Sequence, residues 1–190
     1  MDGRPHGASA HVRHNIDGLS LVFPPAYLLS FLTNLDWEPL HNPPDLPLYV
    51  RSRMQGVLGL CFQSALLSDE DRDAISGQVD LYKSLRPTLA TATAALLTPQ
   101  ANAYQGPAWD VLQETAADGT ALMFAFDSYN GANNTLVAPA NLQPDIVYRV
   151  SSVDSGMLGD RTGAELMETG IKIVRSPGTA AHVLSLIPLP

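Results

Sequence analysis

Apolar and polar positions follow two different rhythms along this chain. Over residues 1–100 the apolar positions recur at helical spacing between prolines, and from residue 107 they alternate between turn-forming dipeptides. In the first regime DGRPHGASA reads as a loop. Val12, Ile16 and Leu19, at i, i+4 and i+7, then predict a short helix over His11–Leu21. The apolar run Leu21–Pro25 (LVFPP) ends in a proline pair that can continue neither a helix nor a central strand, so it reads as one strand stopping at a rim loop. Ala26–Leu35 reads as a helical turn or two, and Asp36–Pro47, with four prolines, as an irregular loop. Val50, Met54, Val57, Leu58, Cys61, Phe62, Ala65 and Leu66 would cover most of the circumference of a helix over 48–66, predicting a buried one. Ser68 is a natural N-cap with Asp71 three residues on, and Asp69, Glu70 and Asp71 suit the positive end of a helix dipole. Ile75, Val79, Tyr82 and Leu85 continue that helix at regular spacing until Pro87 is expected to stop it. One strand without a partner leaves backbone groups unsatisfied. The front half therefore calls for strands on another chain or on sequence not present here.

The second regime is self-sufficient. Trp109–Thr115 alternates as a strand, Asp118-Gly119 signals a hairpin, and Ala121–Tyr129 is its partner. Asn130-Gly131 marks a further turn. Thr135–Ala138, Val147–Val153, Ile171–Val174 and Ala181–Ile187 supply more strands, and Gly163–Gly170 a helical turn. Short strands at regular intervals argue for a small antiparallel β-sandwich. Phe124 and Phe126 fall on one side of their strand, as core residues do. The polar connector 97–107 then separates a first domain, 1–100, from a second, 107–190.

Composition narrows the function classes. Nineteen acidic against eleven basic side chains give a net charge of −8, with no basic patch to displace counterions, so nucleic acid is not an expected partner. No apolar stretch approaches the roughly 20 residues of a membrane span, and the first fifteen residues hold no signal-like apolar core, so the expectation is a cytoplasmic protein. The single cysteine, Cys61, lies in an apolar run and reads as a small buried hydrophobe.

Five segments, in order, carry a resemblance. They are Phe23–Pro25, the helix SDEDRDAISGQVDLYKSLRP at Ser68–Pro87, Trp109–Gln113 followed by Asp118-Gly119, Tyr148–Val150, and Thr162–Met167. Together they resemble the carboxyl end of the α-galactosidases (melibiases) of glycoside hydrolase family 36. The resemblance implies an α/β portion followed by an all-β one: the terminal segment of a (β/α)8 barrel, then a C-terminal antiparallel β-sandwich that braces it. It implies retaining hydrolysis of terminal α-galactosides, which needs two carboxyl groups about 5–5.5 Å apart. The family's nucleophile motif, Lys-Trp-Asp-x-Asn, is absent, and Trp109-Asp110 lacks both its Lys and its Asn. The resemblance places Asp2 at the family's acid/base position, with Met1 where a Ser is usual and His6 and Gly7 where another acid often stands. One carboxylate cannot run a double displacement. The chain alone is therefore expected to be inactive and to need the missing N-terminal barrel portion or a complementing chain, with a homo-oligomer possible.

Other constellations are weaker. Trp37, beside Asp36, has the chemistry of a sugar platform and is the candidate substrate-binding residue. His11-x-x-His14 has zinc-like spacing with Asp17 nearby, but nothing else converges, so neither metal nor cofactor is assigned. His182, in an apolar strand, reads as a satisfied core histidine. A non-catalytic accessory or carbohydrate-binding β-sandwich is the alternative, and would show an exposed aromatic strip.

Overall fold

A computed structural model describes residues 7–36, 38–101, 108–128 and 132–190 (for 7–9, the backbone). The chain runs α1 (Gly7–Ser20), β1 (Leu29–Thr33), α2 (Leu46–Arg51), β2 (Val57–Cys61), α3 (Asp69–Leu89) and β3 (Thr93–Leu96). It continues with β4 (Ala108–Thr115), β5 (Ala121–Ser128), β6 (Asn134–Val137), β7 (Val147–Ser152), β8 (Gly156–Thr162), α4 (Gly163–Thr169), β9 (Ile171–Val174) and β10 (Ala181–Pro188).

Most of the strand structure is one antiparallel sheet of six strands, in the order β3-β4-β5-β10-β7-β8. Both its faces are covered. Phe124, Phe126, Leu122 and Val183 pack with Leu48, Val50, Ile75 and Leu85 from α2 and α3, while Val111, Met123, Val150 and Leu186 pack with Val137, Leu166, Ile171 and Ile173. The second group belongs to α4 and to a two-stranded antiparallel sheet, β6-β9, which lie on that face. A sheet covered on both sides loses its polar alternation, and all eight residues of β5 are buried. The hairpin read from Asp118-Gly119 is present. Gly119 has φ +87°, its N–H donates to the Ala116 carbonyl at 3.0 Å, and Thr115 pairs with Ala121. Thr162 and Glu165 close a capping box on α4, and Gly163 begins that helix where a Cβ would stand 2.1 Å from the Gln143 carbonyl oxygen.

The front half differs from its sequence reading in several places, beginning with α1, which starts at Gly7 inside the segment read as a loop. The apolar run Leu21–Pro25 is a turn, and the strand lies later, at Leu29–Thr33, inside the segment read as helical turns. The helix expected over 48–66 is a short α2 followed by a strand, β2. Gly56 and Gly59 explain the break. Gly56 packs so closely on the Leu28 carbonyl that a Cβ would lie 2.5 Å from it, and the Phe31 ring covers Gly59. Strand β1 is therefore not alone: it pairs parallel with β2, Leu29 opposite Val57 through Thr33 opposite Cys61. Pro87 does not end α3. The helix runs to Leu89, because a proline there removes one backbone donor while Leu85 and Leu89 are still buried. The sequence reading did not include β3 and β8, the two edge strands of the large sheet.

No helix among the described residues is long and apolar enough to cross a membrane. Cys61, expected to be buried, is exposed at the end of β2, because none of the described residues covers that end of the strand.

Buried charge holds the front half together. The Arg53 guanidinium donates to the Phe31 carbonyl of β1 (2.8 Å), to the Tyr49 carbonyl of α2 (2.6 Å) and to Glu38 (2.5 Å). Removing one partner of such a pair leaves an uncompensated interior charge. Glu38→Ala is expected to cost about 3 kcal/mol in a denaturant titration, whereas truncating Asp80, which pairs with Lys83 on the open surface of α3, should be nearly silent.

Candidate functional site

In parallel sheets, sites form at the carboxyl ends of the strands. Here those ends are Thr33 and Cys61, and the loops that leave them are 34–45 and 62–68. The first loop is pinned at several points. The Asn34 side-chain oxygen accepts the Leu40 N–H at 2.8 Å, Leu35 and Glu38 exchange backbone hydrogen bonds, and Leu40 is fully buried. Asp45 ends the loop by capping α2 through the Leu48 N–H (2.9 Å), and its second oxygen accepts the Ala180 N–H at the start of β10 (2.8 Å). In mid-loop, Asp71 at the start of α3 accepts from the Asn42 N–H (3.1 Å) and the Ser68 hydroxyl (2.6 Å) and meets His41 Nδ1 at 2.7 Å. Those bonds, the Ser68 hydroxyl foremost and His41 next, pull the Asp71 carboxyl down to about 2.

Among the described acids of the two loops, Glu38 is held by Arg53 and Asp45 by its cap, which leaves Asp36 exposed at the rim. One free carboxylate is short of the pair that glycoside hydrolysis requires. Asp2 and Trp37, the residues singled out from sequence, lie outside the described residues, as does His6. His11 is exposed, and His14 turns away from it, its Nε2 3.2 Å from Asp110.

Sequence reasoning passed over the most heavily bonded polar cluster. It lies between α1 and the large sheet. Arg13 donates to the Ser52 hydroxyl (3.2 Å), the Ser128 hydroxyl (2.8 Å) and Asp110 (3.4 Å), with its guanidinium carbon 4.5 Å from the centre of the Phe126 ring. Ser128 donates to Asp110 at 2.5 Å, and the Ala101 N–H donates to the other oxygen. Burial opposes the Asp110 charge, but His14, Arg13 and these donors together hold its pKa below the usual range. Asp17, on the same helix, accepts from Gln55 at 2.8 Å, yet burial pushes it up to about 7. The signal was present in Asp110 and Glu114, two acids four positions apart and so on one face of a strand whose residues are mostly buried.

On the opposite face, His182 is buried as read but not satisfied. Its ring lies 5.5 Å from that of Trp109 and its Nδ1 3.5 Å from Asp154, while Nε2 has no partner. The aromatic residues of the large sheet, Trp109, Phe124, Phe126 and Tyr148, are all buried.

The Asp71 knot makes a pH prediction. A carboxyl whose folded pKa is depressed adds stability above its unfolded value of 3.8, and loses it as pH falls toward 2. The denaturant midpoint should therefore drop between pH 5 and pH 2.5, and Asp71→Asn should drop less over that interval.

No family model matches the chain. A probable alpha-galactosidase C of Aspergillus terreus is 27% identical over 161 residues, covering 82% of this chain and 20% of that protein. Among solved structures, the GH36 alpha-galactosidase AgaA of Geobacillus stearothermophilus superposes with a TM-score of 0.77 at 19% identity, over 95% of this chain and 24% of AgaA. The alpha-galactosidase of Lactobacillus brevis gives 0.70 at 16% identity, over 88% and 23%. AgaA variants have been crystallised with raffinose and with stachyose. The chain spans about a fifth to a quarter of the length of these relatives. In sequence and in fold, it is similar to the carboxyl-terminal part of the family 36 α-galactosidases.

Proposed function

We propose that this chain is the carboxyl-terminal piece of a retaining glycoside hydrolase for terminal α-galactosides, raffinose-like sugars among them. It would contribute the last two strands of a catalytic (β/α)8 barrel and the β-domain that braces them. The observation that carries the reading is the parallel pair β1–β2. Both its outer edges are unpaired among the described residues, which leaves two rows of backbone donors and acceptors open to further strands. Each edge is flanked by a helix, with α1 beside β1 across a groove lined by Val12, Ile16, Leu19, Leu29 and Phe31. On the other side α3 flanks β2 across a groove lined by Leu60, Phe62, Ile75 and Val79. The face carrying Leu29, Phe31, Val57 and Cys61 is exposed, an apolar surface of the kind that a barrel interior would cover.

In this reading Asp2 is the acid/base, Trp37 and Asp36 form part of the sugar rim, and the nucleophile comes from the portion of the barrel that this chain lacks. A cytoplasmic location fits a single thiol with no disulfide partner. The carbohydrate-binding alternative is disfavoured, since the aromatic residues of the large sheet are interior and offer no sugar platform.

The test is hydrolysis of an aryl α-galactoside. The purified chain is expected to give no turnover, and mixing it with the amino-terminal part of a family 36 α-galactosidase should restore activity that Asp2→Asn removes. Turnover by the chain alone would overturn the proposal.

A further inference from the structure

The interface between α1 and the large sheet holds more acids than cations. From α1 come Arg13, His14 and Asp17, and from β4 Asp110 and Glu114. Ser128 reaches in from β5, and Ser52 and Gln55 from the segment after α2. Arg13 is directed at Asp110, Ser128 and Ser52. That leaves Asp17 with the Gln55 amide, and Glu114 with nothing. Glu114 is 0% exposed, and neither of its carboxyl oxygens has a hydrogen-bond partner among the described residues. Among the described residues, the charge that acts on it is that of Asp17, and it repels. An anion in a buried site without a donor is far more costly than the neutral acid.

We propose that this interface is a proton latch: α1 stays against the sheet while Asp17 and Glu114 are neutral acids, and losing their protons releases the helix locally. The consequence reaches beyond the cluster. Val12, Ile16 and Leu19 line the groove beside the open edge of β1. The same helix that is locked through Arg13 and Asp17 thus forms one wall of that groove, and its release would take the wall away.

The sign follows from linkage. Burial raises the Asp17 pKa from 3.8 to about 7 and the Glu114 pKa well above 4.5, so the closed interface binds more protons than the open one. Closure is fully favoured below the unfolded values and weakens as pH rises through 7. Facing these acids are Arg13, His14 and Asp110, of which Arg13 keeps its charge throughout.

Hydrogen exchange of the α1 amides, corrected for intrinsic rate, reads the opening equilibrium between pH 5 and pH 8. Opening is expected to grow about tenfold per pH unit for each proton released. The double variant Asp17→Asn, Glu114→Gln should flatten that slope, and Glu114→Leu should lower it without leaving a titrating group. A slope unchanged in the variants would assign the effect to His14 and Asp110 and overturn the proposal. Should the variants fail to fold, the unmodified protein decides: an infrared band from a protonated carboxyl at pH 6 that shifts on deuteration supports the latch, and its absence overturns it.

Discussion

A guanidinium does not give up its proton inside a protein, so a buried arginine must find acceptors where it lies. Three arginines of this chain, Arg13, Arg51 and Arg53, are 0–4% exposed, and their demands fix how the helical half meets the sheet. Arg53 gathers carbonyls from β1 and α2 and the carboxylate of the rim loop. Arg51 leaves the end of α2 to reach the Ala181 carbonyl of β10 at 2.7 Å and both oxygens of Asp154 at 2.9 Å. Arg13 joins α1 to β4 and β5 through Asp110 and Ser128. Apolar residues in these places would fill the space but would tolerate sliding. The directional bonds set one relative position.

That position has a cost, carried by the acids. The same low-dielectric interior that strengthens the bonds to Asp110 leaves Glu114 without donors and raises Asp17. A polar interface satisfied at one end and strained at the other is suited to local opening. The helix concerned is the one that flanks the unpaired edge of β1.

The parallel pair β1–β2 and the antiparallel sheet solve the same backbone problem in opposite ways. The large sheet is closed over on both faces by helices on one side and by α4 with β6–β9 on the other. The small pair leaves Leu29 56% and Phe31 49% exposed, and both its edges have no strand beside them among the described residues. A fold complete in one half and open in the other is what joins the structural likeness to a quarter of an α-galactosidase with the proposal that other strands complete it.

The sequence by itself determined the elements whose signals are local. The Ser68 cap and acidic first turn of α3, the Asp118-Gly119 hairpin and the Thr162–Glu165 start of α4 all follow from bonds within a few residues. It also carried the family resemblance. Tertiary structure decided the remainder. The run 48–66 has enough apolar residues for a buried helix, and only the close approach of Gly56 to Leu28 and of Gly59 to Phe31 makes its middle a strand. Thr93–Leu96 and Gly156–Thr162 carry little strand character of their own and are strands because β4 and β7 stand beside them. The partners of Asp110 lie 9 to 97 residues away in the chain. A strand in a sheet or a charge in an interior is settled by groups distant in sequence, so no local pattern could disclose them.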